Sequence, residues 1–304
     1  MSIFISIASY RDEHLPMTLK SAVENAKYPD ELFFGIVNQD TERNVIDCSF
    51  LPDYSMIKIH PKNAKGVGFA RSKAMSLYSD QTYYMQIDSH TQFTKNWDIN
   101  SIKQLKLAQQ QSNNEKVMLS CYPGPYSIDN NRIFIHTVST DEHPVEPTKQ
   151  VAHLRVDGVW SAKRIPLEKP ECGLPELSNT VLGGYIFTTG DIVKEIPYDP
   201  EISFMGEEIC FAMRAWTRGW DIYSPTIPIV YHFYKRNGHK KIWSDNVVKE
   251  KNWDQIEKIS KDKQEKVLRG IEKGIFGYGS IRTIKDYEKM IGYDFNKIYD
   301  SLTN

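Results

Sequence analysis

Asp88 and His90 stand two residues apart where the apolar run Tyr83-Tyr84-Met85-Gln86-Ile87 ends. Alternate side chains of an extended chain project to the same side, so a strand ending here presents a carboxylate and an imidazole together. One oxygen and one nitrogen donor suit a divalent cation, and Mn²⁺ tolerates imidazole better than Mg²⁺. His232 closes a second apolar run, Ile229-Val230-Tyr231-His232, and offers a third ligand. Water and phosphate oxygens would fill the remaining positions, the arrangement needed to bind and discharge a nucleotide diphosphate. A structural zinc site, normally closed by four protein ligands, fits these residues less well. The competing reading makes Asp88 a turn residue, His90 a surface residue and His232 a core histidine bonded to backbone.

Three further groups carry chemistry. Gly66-Val67-Gly68-Phe69-Ala70-Arg71 follows a strand and opens a helix. It lets backbone approach a nucleotide, with Arg71 reaching a phosphate or holding Asp88. Its rival reading is a dinucleotide fingerprint, but the third glycine position is Arg71 and the loop follows the third strand rather than the first. Gly206-Glu207-Glu208 opens a helix, where acidic residues are favoured by the dipole alone; a carboxylate there could also bind sugar hydroxyls or orient an acceptor. Trp216 could stack on a sugar ring, though packing is the commoner role of a tryptophan. Lys235-Arg236, just past His232, is either a further positive charge for a leaving phosphate or a solvated basic run.

The elements that must position these groups alternate. Ser2 to Ser9, Glu31 to Val37, Ser55 to His60 and Tyr83 to Ile87 read as strands; Leu15 to Ala26 and Phe69 to Tyr78 read as helices. This order predicts a mostly parallel sheet wrapped by helices, with ligands outside the carboxyl ends of the strands. Ser9-Tyr10-Arg11, Gln39-Asp40 and Asp88-Ser89-His90 all fall at such ends and are expected to meet in one cleft. Tyr122 to Leu182 is rich in Pro, Gly and polar residues and reads as loops and short strands covering the sheet. Strand character returns at Leu182 to Phe187 and Ile227 to His232, with a helix from Met205 to Thr217. Charged amphipathic helices from Trp253 to Lys273 and Thr283 to Ile291 predict a helical appendage.

Of the 304 residues 40% are hydrophobic and 25% charged, an ordinary globular composition. The net charge of -1 argues against duplex nucleic acid or an anionic membrane as the dominant partner. Peripheral membrane contact through the C-terminal helices, or a homodimer, stays open. Cys48, Cys121, Cys172 and Cys210 are scattered and read as small buried hydrophobes in a reducing compartment. Ile3 to Ala8 is too short for a signal peptide or membrane span, so a cytoplasmic location is expected.

Taken in order, the motifs resemble a known family. Ile5-Ser6-Ile7-Ala8-Ser9-Tyr10-Arg11-Asp12, the Gly-x-Gly-x-x-Arg loop, and Gln86-Ile87-Asp88-Ser89-His90 followed by Trp97-Asp98 resemble the nucleotide-binding half of a GT-A glycosyltransferase. More narrowly they resemble glycosyltransferase family 60, the α-N-acetylglucosaminyltransferases that modify hydroxyproline on the ubiquitin-ligase adaptor Skp1. The likeness continues through Gly183-Gly184, Gly206-Glu207-Glu208, Tyr231-His232-Phe233-Tyr234 and Gly277-Tyr278-Gly279-Ser280-Ile281-Arg282-Thr283. The Asp-x-His variant is shared with the more distant polypeptide N-acetylgalactosaminyltransferases.

The resemblance implies UDP-N-acetylglucosamine as donor, Mn²⁺ or Mg²⁺ on the diphosphate, and a retained anomeric configuration. It implies a GT-A domain over residues 1–242, with a nucleotide-binding half at 1–100 and an acceptor half at 101–242, then a helical segment at 243–304. Ala8, Ser9, Arg11 and Asp40 would hold uridine and ribose, and Gly66, Gly68, Arg71 and Ser89 belong to the same nucleotide site. Asp88, His90 and His232 would ligate the metal; Gly183, Gly184, Glu207 and Glu208 would line the sugar and acceptor pocket. The acceptor is a protein or a saccharide hydroxyl. Two other classes compete: a nicotinamide-dependent oxidoreductase using the Gly66 loop, and a non-catalytic saccharide-binding protein on the same fold.

Overall fold

Alternation along the first strand, β1 (Ile3–Tyr10), sorts its side chains between two cores. Ile3, Ile5 and Ile7 enter one apolar cluster and Phe4 enters another. A strand buried on both faces is what an interior position in a helix-covered parallel sheet requires. The computed structural model describes residues 1–41, 45–130, 132–136, 148–167, 173–235, 238–245 and 253–302. Within it β2 (Leu32–Gln39), β3 (Tyr54–Lys58) and β4 (Tyr83–Asp88) pair in parallel around β1. β6 (Val117–Ser120), β11 (Glu176–Ser178), β12 (Tyr185–Thr189) and β13 (Asp221–Ser224) extend the sheet to the order β11-β13-β6-β12-β4-β1-β2-β3. Only β12 and β11 run against the rest, so the sheet is mostly parallel, as expected.

On one face α1 (Leu15–Asn25) and α3 (Trp97–Ser112) supply Leu15, Leu19, Ala22, Trp97, Leu105 and Ala108 to the core. Helix α3 lies outside the elements that the sequence pattern predicts. Its buried face mixes Asp98, Ser101 and Gln104 with Ile102 and Leu105, which blurs any apolar stripe. Asp98 is fully buried and accepts the backbone N–H groups of Lys27 and Tyr28, both at 2.9 Å, tying α3 to the end of α1.

The other face is covered by α2 (Val67–Met75), the single turn α4 (Ile192–Glu195) and α5 (Glu207–Thr217). Also here are α6 (Trp253–Leu268), α7 (Ile284–Ile291) and α8 (Phe295–Leu302). Val267, Leu268, Tyr287 and Phe295 of these last helices share one apolar cluster with Phe4, Tyr84, Ile209 and Phe211. The C-terminal helices therefore complete this side of the core. Trp216 packs there too, 5.6 Å from the Tyr287 ring and 5.1 Å from the Arg282 guanidinium, so its role is structural. Cys48 and Cys210 are buried and Cys121 is half-buried, all as free thiols; Cys172 lies outside the described residues.

A smaller sheet delivers the distant histidine. β5 (Thr91–Phe93) pairs antiparallel with β14 (Val230–His232), which pairs in parallel with β7 (Gly124–Asp129); β8 (Arg132–Ile135) flanks β7. The register sets His232 opposite Thr91, the residue after His90. The hairpin β9 (Thr148–Leu154) and β10 (Trp160–Pro166) falls in the 122–182 stretch, where loops and short strands are expected.

Candidate active site

The carboxyl ends of β1, β2 and β4 open into a cavity of about 390 Å³, lined there by Ala8, Tyr10, Gln39, Asp88, Ser89 and His90. The size suits a small-molecule ligand. Three strand ends thus meet in one cleft, as the topology demands. Ala8 and Tyr10 face it; Ser9, between them, is buried on the opposite side of the strand and donates no side-chain hydrogen bond into the cleft. Period-two geometry separates Ser9 from the expected uridine contacts. Arg11 adopts a left-handed backbone (φ 46°) that carries it off the end of β1. Its Nη1 donates to Asp245 Oδ2 at 2.6 Å and its Nε lies 3.7 Å from Asp40 Oδ1. The Tyr10 hydroxyl donates to the same Asp245 oxygen at 3.1 Å.

Asp88, His90 and His232 converge: one ligand atom from each lies within 4.8 Å of the others. His232 Nε2 is 3.1 Å from Asp88 Oδ2, and the two imidazole rings stand 4.5 Å apart. Burial pushes the Asp88 carboxyl up, but the His232 hydrogen bond and the charges of Arg71, His232 and His90 outweigh it and hold the group well below the usual carboxylate range. His90 Nδ1 lies 2.7 Å from Asp12 Oδ2, which also accepts from Ser89 Oγ at 2.7 Å. Asp12 Oδ1 takes the His14 backbone N–H at 3.0 Å. A buried carboxylate on Nδ1 fixes the imidazole tautomer and leaves Nε2 as the donor, the usual support of a metal-binding histidine. One carboxylate and two imidazoles, one of them so supported, form a donor set that fits Mn²⁺ together with oxygen ligands from a diphosphate.

Arg71 is buried beneath this group. It pairs with Glu207 and donates to Asp88 Oδ1 at 3.1 Å, so of the two expected roles the structure displays the one that holds Asp88. Burial acts to lower its pKa, but Glu207, Tyr198 and Asp88 raise it further, and the guanidinium stays charged. Gly183 is required here, because a Cβ would lie 2.1 Å from Arg71 Nη1. The Gly183 N–H donates to Glu208 Oε1 at 2.8 Å. Gly206 (φ +77°) caps α5 and sets both glutamates in its first turn, lining the cavity. Burial raises both carboxyls; Glu208, also beside the Glu207 charge, is pushed up to about 8. Gly184 lines the cavity, and a Cβ on it would come 3.5 Å from Asp88 Oδ2.

The glycine loop has a packing explanation. A Cβ at Gly66 (φ +114°) would lie 2.3 Å from the Ser203 carbonyl oxygen, and one at Gly68 would lie 2.2 Å from that of Ile202. Gly66 borders the cavity, whereas Gly68 is not among its lining residues and packs its Cα against the carbonyls of Asp199 and Ile202. Lys235 is exposed and is not among the cavity-lining residues; Arg236 lies outside the described residues. Lys240 and Lys241 line the cavity instead. Sequence reasoning missed these lysines, together with the roles of Asp12 and Asp245. A second basic pair five residues beyond Lys235-Arg236 was the available signal for the lysines; only tertiary contact reveals Asp12 and Asp245.

A mixed sheet of this order, with a carboxylate–imidazole cluster at its strand ends, is a GT-A fold. The chain belongs to the Glycosyltransferase (GlcNAc) family, whose profile matches residues 2–55 and 50–275. Among solved structures, GalNAc-T7 with UDP, GalNAc and Mn²⁺ is similar with a TM-score of 0.58 at 16% identity, covering 100% of this chain and 56% of that one. S. aureus TarS 1–349 in complex with UDP-GlcNAc is similar with a TM-score of 0.51 at 13% identity, covering 99% and 73%. The chain thus spans little more than half of the GalNAc-T7 structure, and at these identities the likeness is one of fold. No curated protein matches the chain in sequence.

Proposed function

We propose that the protein is a metal-dependent glycosyltransferase that moves N-acetylglucosamine from UDP-N-acetylglucosamine to a hydroxyl of a protein or saccharide, with retention of anomeric configuration. The observation that carries this reading is the convergence of Asp88, His90 and His232 at the sheet's carboxyl edge, beside Arg71, Glu207 and Glu208. Family membership supports the sugar, and the motif order shared with the Skp1-modifying enzymes supports retention.

Asp88, His90 and His232 would hold a Mn²⁺ or Mg²⁺ ion, which would supply Lewis-acid neutralisation of the departing diphosphate. Arg71 fixes Asp88 and adds a buried positive charge on the protein side. Lys240 and Lys241 face the same cavity and attract the anionic donor. Glu207, committed to Arg71, positions rather than deprotonates. Glu208, raised by burial and held by the Gly183 N–H, is suited to hydrogen-bond sugar or acceptor hydroxyls. The acceptor hydroxyl then attacks from the face that UDP leaves, passing its proton to a phosphate oxygen. A second cavity of about 360 Å³ shares Trp160 and Met205 with the first, which supports an acceptor approach beside the β9–β10 hairpin.

The test is a thermal-shift and turnover screen of UDP- and GDP-sugars, each with Mn²⁺, Mg²⁺ or EDTA. UDP release from UDP-N-acetylglucosamine should need the metal and vanish in folded Asp88→Ala and His90→Ala proteins. Retained turnover in both refutes the metal assignment, and an inverted product refutes front-face attack. In the inverting case Glu208 becomes the base.

A further inference from the structure

Outside this centre, Glu13, His14 and His239 form a second cluster, each offering a ligand atom within 4.8 Å of the other two. We propose that they bind a Zn²⁺ ion that staples the segment carrying His239 to the loop after β1. His14 is buried, and its backbone N–H is pinned by Asp12 at the start of α1. Its ring stands 5.1 Å from that of His239 and 4.9 Å from Phe233. His239 Nδ1 is already 3.5 Å from Glu13 Oε1. Donor atoms on a tetrahedral zinc with bonds of about 2.1 Å are about 3.4 Å apart. The cluster therefore closes by small rotations of Glu13, whose side chain is 75% exposed, and of His239, about the fixed His14.

The donor set selects the metal. Two imidazoles and one carboxylate, with water in the fourth position, suit Zn²⁺; Mg²⁺ and Ca²⁺ prefer all-oxygen shells. Glu13, His14 and His239 are themselves not among the residues that line the nucleotide cavity, so phosphate oxygens of the kind expected at Asp88 do not complete this shell. The position gives the ion a purpose. His239 directly precedes Lys240, Lys241, Ile242 and Trp243, which wall the cavity, and Glu13 directly follows Asp12, which orients His90. Zinc here ties the cavity wall to the loop that supports the first metal ligand.

The inference does not rest on the nucleotide-sugar reading, and its test uses metal alone. After dialysis against chelator, the full chain carrying Asp88→Ala is titrated with Zn²⁺ by calorimetry and with Co²⁺ by visible absorption. One equivalent should bind, with the intense absorption of four-coordinate Co²⁺. Adding His239→Ala or Glu13→Gln should weaken binding tenfold or more. Unchanged affinity in those double variants, or no Zn²⁺ bound by the folded Asp88→Ala chain, overturns the proposal. Should Asp88→Ala fail to fold, the otherwise wild-type chain decides: His239→Ala must lower the Zn²⁺ stoichiometry by one equivalent, and an unchanged stoichiometry overturns it.

Discussion

Asp12→Asn is the sharpest probe of the first site, because it changes one atom and leaves every cavity-lining side chain in place. Asp12 is 6% exposed and takes His14 N–H on Oδ1, and Ser89 Oγ–H and His90 Nδ1–H on Oδ2. Asparagine has one acceptor oxygen. If it stays toward His14, an NH₂ faces His90, and the imidazole must turn its Nδ1 lone pair to it and carry its proton on Nε2. That tautomer has no lone pair for a cation. Loss of a carboxylate behind a metal-binding histidine costs 10–100-fold in metal affinity, about 1.4–2.7 kcal/mol, and the tautomer argument places this variant at the upper end. The assay is UDP release against Mn²⁺ concentration at saturating donor. The half-saturating Mn²⁺ should rise by up to about 100-fold, with activity largely restored at high metal. An unchanged Mn²⁺ requirement in a variant with wild-type circular dichroism would refute the reasoning.

Three further outcomes are expected. Gly183→Ala drives a methyl into the Arg71 guanidinium and should cost about 1–3 kcal/mol in urea unfolding, whereas Gly184→Ala, meeting Asp88 at ordinary contact distance, should cost less; equal losses would contradict the packing. Glu208 has a folded pKa above its unfolded value, so its contribution is fully present below about 4.5 and is lost as pH rises to about 8. Wild-type stability should therefore fall with pH across that window, and Glu208→Gln should flatten the slope in denaturation series at several pH values. Replacing Lys240 and Lys241 together by Ala should raise the donor KM severalfold with little change in kcat. That effect should shrink at high salt, since exposed charges are worth about 0.2–1 kcal/mol each.

Much of this molecule is legible in its residues where local periodicity decides the outcome. The apolar runs behind β1, β2, β3 and β4 mark the parallel core, and the strand-end rule then brings Tyr10, Gln39 and Asp88 to one cleft. Side-chain alternation was the finer instrument: applied to β1, it sends Ser9 away from the cavity that Ala8 and Tyr10 enter. What stayed illegible depends on contacts between distant segments. Nothing near Asp12 announces that it sits behind His90, and nothing near Gly68 shows that its hydrogen makes room for the Ile202 carbonyl. Helix α3 escaped because tertiary partners satisfy the polar groups on its buried face; the Gln104 amide, for example, donates to the Gly173 carbonyl at 2.7 Å.

The antiparallel pairing of β14 with β5 has a consequence for the order of events during biosynthesis. Two of the three clustered donors emerge early and close together, but the last arrives some 140 positions later and is seated only by a three-residue ribbon. A slip of one position in that ribbon would turn the imidazole to the wrong side and leave the large sheet untouched. Convergence of the three side chains therefore requires that the small ribbon dock in register, and a ribosome-bound chain lacking it would hold the parallel strands of the large sheet without the third member of the cluster.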